Sequence, residues 1–211
     1  MDENKKNKVL GCLFGQAVGD ALGMGAEFLN KQEVREKYPN GLRHYSDIKY
    51  SIYRKIHPGD YTDDTEMMEC IVYSLIKEGH YDLMDIAQYF RRWLEYGPSD
   101  AGLLTVQVLR NPSYRTDPLG VSKSVWENSE RTQAGNGGVM RTSVIGVLKG
   151  NIEEMAADVC RLTHYDPRCV GSSVIVSLAI HNLIYNNYTM SVENIVQVGK
   201  KYDDRIEEYV K

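Results

Sequence analysis

Apolar side chains return at helical spacing along most of this 211-residue chain, and strand-like alternation is close to absent. Val9, Leu10, Leu13, Phe14, Ala17, Val18, Ala21 and Leu22 form one such pattern over residues 8–22. Met67, Met68, Ile71, Val72, Leu75 and Ile76 form another from about Asp64 to Lys77, with Gly79 as its stop. A third opens at Asp82, with Asp85 three residues on, and carries Leu83, Ile86, Ala87, Phe90, Trp93 and Leu94. Shorter patterns fit 101–110, 121–128 and 139–149. Asn151 with Glu154 has the form of a capping box ahead of Met155, Ala156, Val159 and Leu162. Asp166-Pro167 is an N-cap with a first-turn proline for a helix to about Tyr185. Ser191 opens a helix near 192–201, and Asp203 caps a terminal turn. The weak alternation over His44–Tyr53 suits a short hairpin or a loop. The expectation is one all-α domain over residues 1–211, built of many short helices. Its long loops fall at 28–63, 97–101 and 111–120, and loops of that length often carry function.

Glycine recurs every fourth residue in the first helix, at Gly11, Gly15, Gly19 and Gly23. Each costs a helix interior up to about 1 kcal/mol against alanine. A ridge without side chains predicts close approach of another helix backbone. Gln16 and Asp20 interrupt the apolar stretch and argue against a membrane dimer motif.

The net charge of −4 and pI near 5.8 provide no basic field for nucleic acid or an anionic membrane. Cys12, Cys70, Cys160 and Cys169 form no CxxC pair, so reduced core thiols are expected rather than a metal knuckle or disulfide framework. The polar N-terminus lacks the long apolar run of a signal peptide or a membrane span, which points to the cytoplasm.

Four segments concentrate the residues that could carry chemistry. In Gly59-Asp60-Tyr61-Thr62-Asp63-Asp64-Thr65-Glu66, two adjacent carboxylates stand where a loop becomes a helix. One reading is capping, with Thr62 or Asp63 as N-cap and Glu66 completing the box. The other is a hard-oxygen cluster for a Mg²⁺-type cation, which would offset the repulsion between neighbouring anions. Glu27 follows a glycine-rich helix end, as a solvated loop residue or as a presented carboxylate. Ala134-Gly135-Asn136-Gly137-Gly138-Val139-Met140-Arg141 is either a flexible turn or a loop whose backbone N–H groups receive an anion such as a diphosphate. His164 falls at a helix junction, as an ordinary hydrogen-bonding residue or as a ring against a nucleotide.

Taken together, GDALGMGAEF, GDYTDDTEMM, GNGGVMR, and RLTH with the following helix through His181 resemble the ADP-ribosylglycohydrolase family. The resemblance runs from about Lys8 to about Tyr188. It implies a compact orthogonal multi-helix fold with a dinuclear Mg²⁺ (or Mn²⁺) centre. The implied reaction hydrolyses the N- or O-glycosidic bond at the anomeric carbon of ADP-ribose, with ADP-ribose or an ADP-ribosylated protein as the partner. By that resemblance Thr62, Asp63 and Asp64 correspond to metal ligands. Glu27, with Asp63 and Asp64, corresponds to the carboxylates at the scissile bond. Asn136, Gly137 and Gly138 lie where phosphates and ribose are bound, and His164 lies beside the ligand.

The family completes its metal shell from a later Asp-x-Asp-Thr segment in a glycine-rich loop. After Asp166 this chain has only Asp203 and Asp204, without that spacing or the threonine. A C-terminally shortened family domain is therefore expected, with apolar faces left uncovered, the 170–184 stripe among them. Two readings stand: a metal-dependent ADP-ribosyl hydrolase, or a non-catalytic relative that binds ADP-ribose or a protein partner. An unrelated aspartate-based phosphohydrolase would need a nucleophile-plus-lysine setting that the chain does not offer.

Overall fold

Most of the helices start where a short polar side chain satisfies the first free backbone N–H groups. The computed structural model describes residues 2–49, 57 and 59–210. Helix α1 (Glu3–Gly23) is capped by Asp2. Helix α2 (Lys31–Lys37) has a full Asn30/Glu33 capping box, so the 28–63 stretch is not all loop. Helix α3 spans Asp63–Glu78 and ends on Gly79 in the left-handed region (φ 71°). Helix α4 (Leu83–Tyr96) starts on Asp82, which accepts from Asp85 N–H at 2.9 Å. Helices α5 (Leu103–Leu109) and α6 (Pro118–Asn128) follow, joined by a 3₁₀ turn at Pro112–Arg115 in the stretch expected to be loop. Helix α7 (Ile152–Arg161) is capped by Asn151, and α8 (Pro167–His181) by Asp166, with a π turn carrying it to Asn186. Helices α9 (Val192–Lys200) and α10 (Ile206–Val210) close the chain. Among the described residues there is no strand. A 3₁₀ turn occupies Tyr45–Asp47, and residues 50–53 of the possible hairpin lie outside the described residues.

The centre of the molecule is not an α-helix. Residues Val139–Val147, expected to be helical, form a nine-residue 3₁₀ segment packed between α8, α3 and α7. Such runs seldom exceed three or four residues. Here the neighbours hold it: a Cβ on Gly146 would sit 2.6 Å from the Ser177 carbonyl oxygen, and Ser177 Oγ donates to Thr142 O at 2.9 Å. Its own Val144 and Ile145 and the surrounding Met67, Ile71, Ile86, Phe90, Val159 and Leu162 are all essentially inaccessible to water. The cysteines are free, three of them buried and Cys12 half-buried.

Helix α1 departs from expectation. Among the described residues its glycine ridge meets no other backbone, because a Cβ on Gly11, Gly15, Gly19 or Gly23 would find nothing within 4 Å. Ala21 is its one buried residue, and Phe14 is 67% exposed. Gly11 and Gly15 instead line an open apolar groove of about 610 Å³ with Ile180, Leu183 and Ile184 from the α8 end. Of the 170–184 stripe expected to be uncovered, Val170, Val174 and Ile184 are buried, and Leu183 in this groove wall is 46% exposed.

Candidate active-site cleft

The first turn of α3 is capped by a residue from another helix. Asp20 Oδ2 of α1 accepts from the backbone N–H of Thr62 at 3.0 Å and of Thr65 at 3.1 Å. The Thr62 and Thr65 hydroxyls each donate to the same carboxylate at 2.7 Å. One turn earlier on α1, Gln16 Nε2 donates to the Asp64 carbonyl at 3.0 Å, and Gln16 Oε1 accepts from Ser143 Oγ. The polar pair that interrupts the apolar stripe of α1 therefore grips the start of α3, four residues apart and so on one face.

This bears on the capping role that the local sequence suggested for Thr62, Asp63 and Glu66. Thr62 holds the N-cap position but makes no capping bond with its side chain, and Glu66 accepts from Trp93 Nε1 at 2.6 Å instead of closing a box. With Asp20 serving the Thr62 and Thr65 N–H groups, Asp63 and Asp64 line a cavity. Asp63 is 7% exposed, and Gly102 N–H donates to its Oδ2 at 3.4 Å. Among the described residues neither Asp63 nor Asp64 has an ion-pair partner. Burial, and then the charges of Asp100 and Asp64, push the Asp63 carboxyl up to about 7. Burial, then Asp20 and Glu27, push Asp64 up to about 6.

Two adjoining cavities meet at these residues. One, of about 460 Å³, is lined by Asp63, Asp100, Gly137 and His164 among others. The other, of about 410 Å³, is lined by Asp20 and Thr62. Glu27, Asp64 and Asn136 line both. Glu27 sits in the turn after α1, which is pinned by the buried Tyr38 hydroxyl donating to Gly25 O at 2.6 Å. Next to it, Phe28 takes a left-handed backbone (φ 59°) with its ring 81% exposed at the cleft rim. Such strain in a non-glycine residue is held by its surroundings and gathers at working sites.

The opposite wall hangs on Arg141, which is fully buried. Its Nη1 donates to Gly137 O at 2.7 Å, and its Nη2 to Val159 O at 3.0 Å and Thr163 Oγ1 at 2.8 Å. The guanidinium also lies 4.5 Å from the Phe90 ring centroid. Thr163 Oγ1 lies 2.8 Å from His164 Nδ1. Thr163 accepts from Arg141 and has its own proton to give to Nδ1, an arrangement that would put the ring's proton on Nε2. Burial, aided by the Arg141 charge, pushes His164 down to about 3, so it is neutral. Gly137 is glycine because the ring lies against it: a Cβ there would be 2.4 Å from His164 Cε1. Gly138 packs away from the cavities, where a Cβ would meet Cys160 Sγ at 2.4 Å.

The structure thus brings Glu27, Thr62, Asp63, Asp64, Asn136, Gly137 and His164 to one cleft and leaves Gly138 out of its lining. Sequence reading missed Asp20, Asp100 and Phe28. For Asp20 a signal existed, since a carboxylate inside an apolar helical stripe must be satisfied by something. Among the described residues no three acidic, histidine or cysteine side chains converge as a complete metal cage.

The model of the ADP-ribosylglycohydrolase family matches residues 1–211. The chain belongs to this family. ADP-ribosyl-[dinitrogen reductase] glycohydrolase of Rhodospirillum rubrum is 29% identical over 182 residues, which cover 84% of this chain and 58% of that protein. Human ADP-ribosylhydrolase ARH3 is 27% identical over 185 residues, covering 81% of this chain and 48% of its own. The chain spans 38% to 66% of the length of these and other curated relatives it matches. A solved ADP-ribosylglycohydrolase-related protein complex superposes with a TM-score of 0.73 at 23% identity, over 98% of this chain and 68% of that one, and shows the same fold.

Proposed function

We propose that the cleft hydrolyses the glycosidic bond linking ADP-ribose to a protein side chain or small acceptor, with Mg²⁺ or Mn²⁺ as cofactor. The observation that carries this reading is the release of Asp63 and Asp64 from capping duty into a cavity they share with Glu27, Asn136 and His164. A helix start needs no second pair of carboxylates once Asp20 has taken its N–H groups. Holding two neighbouring anions in a buried place without a cationic partner is costly, and sites of chemistry are where such cost is found.

The donor set suits a hard cation. Mg²⁺ is commonly held by one or two carboxylates, with waters and substrate oxygens filling the rest. Asp63, Asp64 and the Thr62 oxygen would hold it, and it would supply Lewis acidity and grip ribose hydroxyls. The chain's own groups do the remainder. Breaking the bond develops positive charge on the ribose, which the Glu27, Asp64 and Asp100 carboxylates would stabilise. A neutral His164 would offer Nε2–H to an acceptor on the ligand without adding charge. Asn136, common to both cavities, would bridge the ribose and phosphate ends.

The second reading, binding without turnover, draws on the incomplete cage noted above. Calorimetry with ADP-ribose and MgCl₂, beside an assay on ADP-ribosylated arginine and serine peptides, separates the two. The hydrolase reading expects Mg²⁺-dependent turnover that falls about a thousandfold or more in Asp63→Ala/Asp64→Ala. Binding without turnover favours the non-catalytic relative, and absence of both sinks the two readings together.

A further inference from the structure

Three consecutive residues at the start of α3 wall three different cavities. Thr62 and Asp63 face the cleft, while Tyr61 lines a groove of about 400 Å³ between α3 and α4. Aromatic rings converge there: Tyr61 and Tyr73 from the α3 side, Tyr89, Trp93 and Tyr96 from α4. Two carboxylates stand among them. Glu66 accepts from Trp93 Nε1 at 2.6 Å and Glu69 from the Tyr61 hydroxyl at 3.2 Å. Both partners are neutral donors, and among the described residues neither glutamate forms an ion pair.

Tyr89 and Trp93 pack against the core, but core packing does not account for Tyr96, 88% exposed, or Tyr73, 54% exposed. Aromatic faces beside carboxylates attract cations, and planar guanidinium most of all. The groove already shows how one lies there: the Arg92 guanidinium carbon is 4.4 Å from the Tyr89 ring centroid. Among the described residues Arg92 lies over Tyr89 alone, with the Tyr73 ring stacked on Tyr89 at 6.4 Å, which leaves Tyr61, Trp93, Tyr96 and both carboxylates to line the groove for a second guanidinium. With two glutamates against one arginine, the lining stays net negative.

We propose that this groove is a subsite for an arginine side chain of the protein substrate, close to the residue that carries ADP-ribose. The placement rests on the hydrolase reading; the cation site itself does not. Tyr61 and Thr62 are neighbours in the chain, so a peptide with its modified residue in the cleft needs to extend only a short way to reach the groove.

The test uses the indole N–H resonance of Trp93, assigned by Trp93→Phe in this two-tryptophan chain. Nα-acetyl-arginine amide is titrated against its uncharged isostere, Nα-acetyl-citrulline amide. The arginine amide is expected to move the Trp93 resonance saturably and to bind about tenfold or more tighter than the citrulline amide. Glu69→Gln should weaken it severalfold, and Arg92→Ala, which frees the Tyr89 face, should tighten it. Equal responses to the two amides, or a still Trp93 resonance, overturn the subsite. With ADP-ribosylated peptides, kcat/KM should be about tenfold higher when the flanking residues are arginine rather than citrulline. Glu69→Gln should erase that preference while leaving turnover of a small ADP-ribosyl acceptor unchanged. Turnover blind to the flanks and to Glu69→Gln sinks the substrate role. Trp93 responding to the arginine amide with no turnover on any peptide sinks the hydrolase reading and leaves the cation site standing.

Discussion

An added methyl at Gly137 would stand 2.4 Å from His164 Cε1, and one at Gly138 would stand 2.4 Å from Cys160 Sγ. The same methyl at Gly11, Gly15, Gly19 or Gly23 would meet nothing within 4 Å. The sequence suggests the reverse assignment, a packing ridge on the helix and an open amide-lined turn in the loop. Neither spacing nor composition can decide between them. What decides is a neighbour far away in the chain, His164 for the loop and, for α1, the absence of any neighbour among the described residues.

The loop side of this contrast depends most on Arg141, so its replacement has the largest expected effect. Arg141→Met keeps much of the volume over Phe90 but strands the Gly137 and Val159 carbonyls and the Thr163 hydroxyl. A loss of about 3–5 kcal/mol is expected in urea unfolding. A loss below about 1 kcal/mol would mean that water replaces the guanidinium and that the wall does not hang on it. Next in size is Gly137→Ala, which overpacks the His164 ring for a loss of about 1–3 kcal/mol. Adding His164→Ala should recover part of that loss. A strictly additive pair would show that the ring and the glycine are not in contact in solution.

Several helices were legible because they carry their own start signal beside an apolar stripe. Asp82 with Asp85, Asn151 with Glu154, and Asp166-Pro167 all cap as their sequence suggests. The 3₁₀ course of Val139–Val147 was not legible, since it is imposed by close packing on α8 at Gly146. In the cleft, the candidate positions could be named from motifs, but the reason Asp63 and Asp64 line the cavity rather than cap the helix could not. That reason is Asp20, whose hydrogen bonds span 42 and 45 residues. Asp100 carries no local pattern, and its importance is electrostatic and visible only in space.

Of intermediate size is a pH effect that reads the burial of His164 directly. Its folded value is pushed down to about 3, while the unfolded chain titrates near 6.5. Below 6.5 the unfolded state binds more protons, so this group's contribution to stability is present above pH 6.5. It is lost as pH falls from there toward 3. Asp63 and Asp64 are pushed up to about 7 and about 6 and act in the opposite sense over much of that range, so the wild-type curve alone is not diagnostic. The difference between wild type and His164→Asn isolates the ring. It should shrink by up to about 1.4 kcal/mol per pH unit between pH 6 and pH 4. A difference independent of pH would show that the ring is solvated in solution, and the contact with Gly137 would go with it.

The smallest effect tests the other half of the contrast. Gly15 lies inside α1, exposed, with no neighbour for an added methyl. Gly15→Ala should therefore raise stability by about 0.5–1 kcal/mol, through lower backbone entropy in the unfolded chain and better helix propensity. Urea midpoints at two protein concentrations provide the check. Stabilisation independent of concentration fits a ridge facing an open groove. A loss of stability that deepens as the protein is concentrated would place a second chain on the ridge, packed closely enough that one methyl matters. The glycines of α1 would then share the reason that governs Gly137, and the contrast between the two stretches would dissolve.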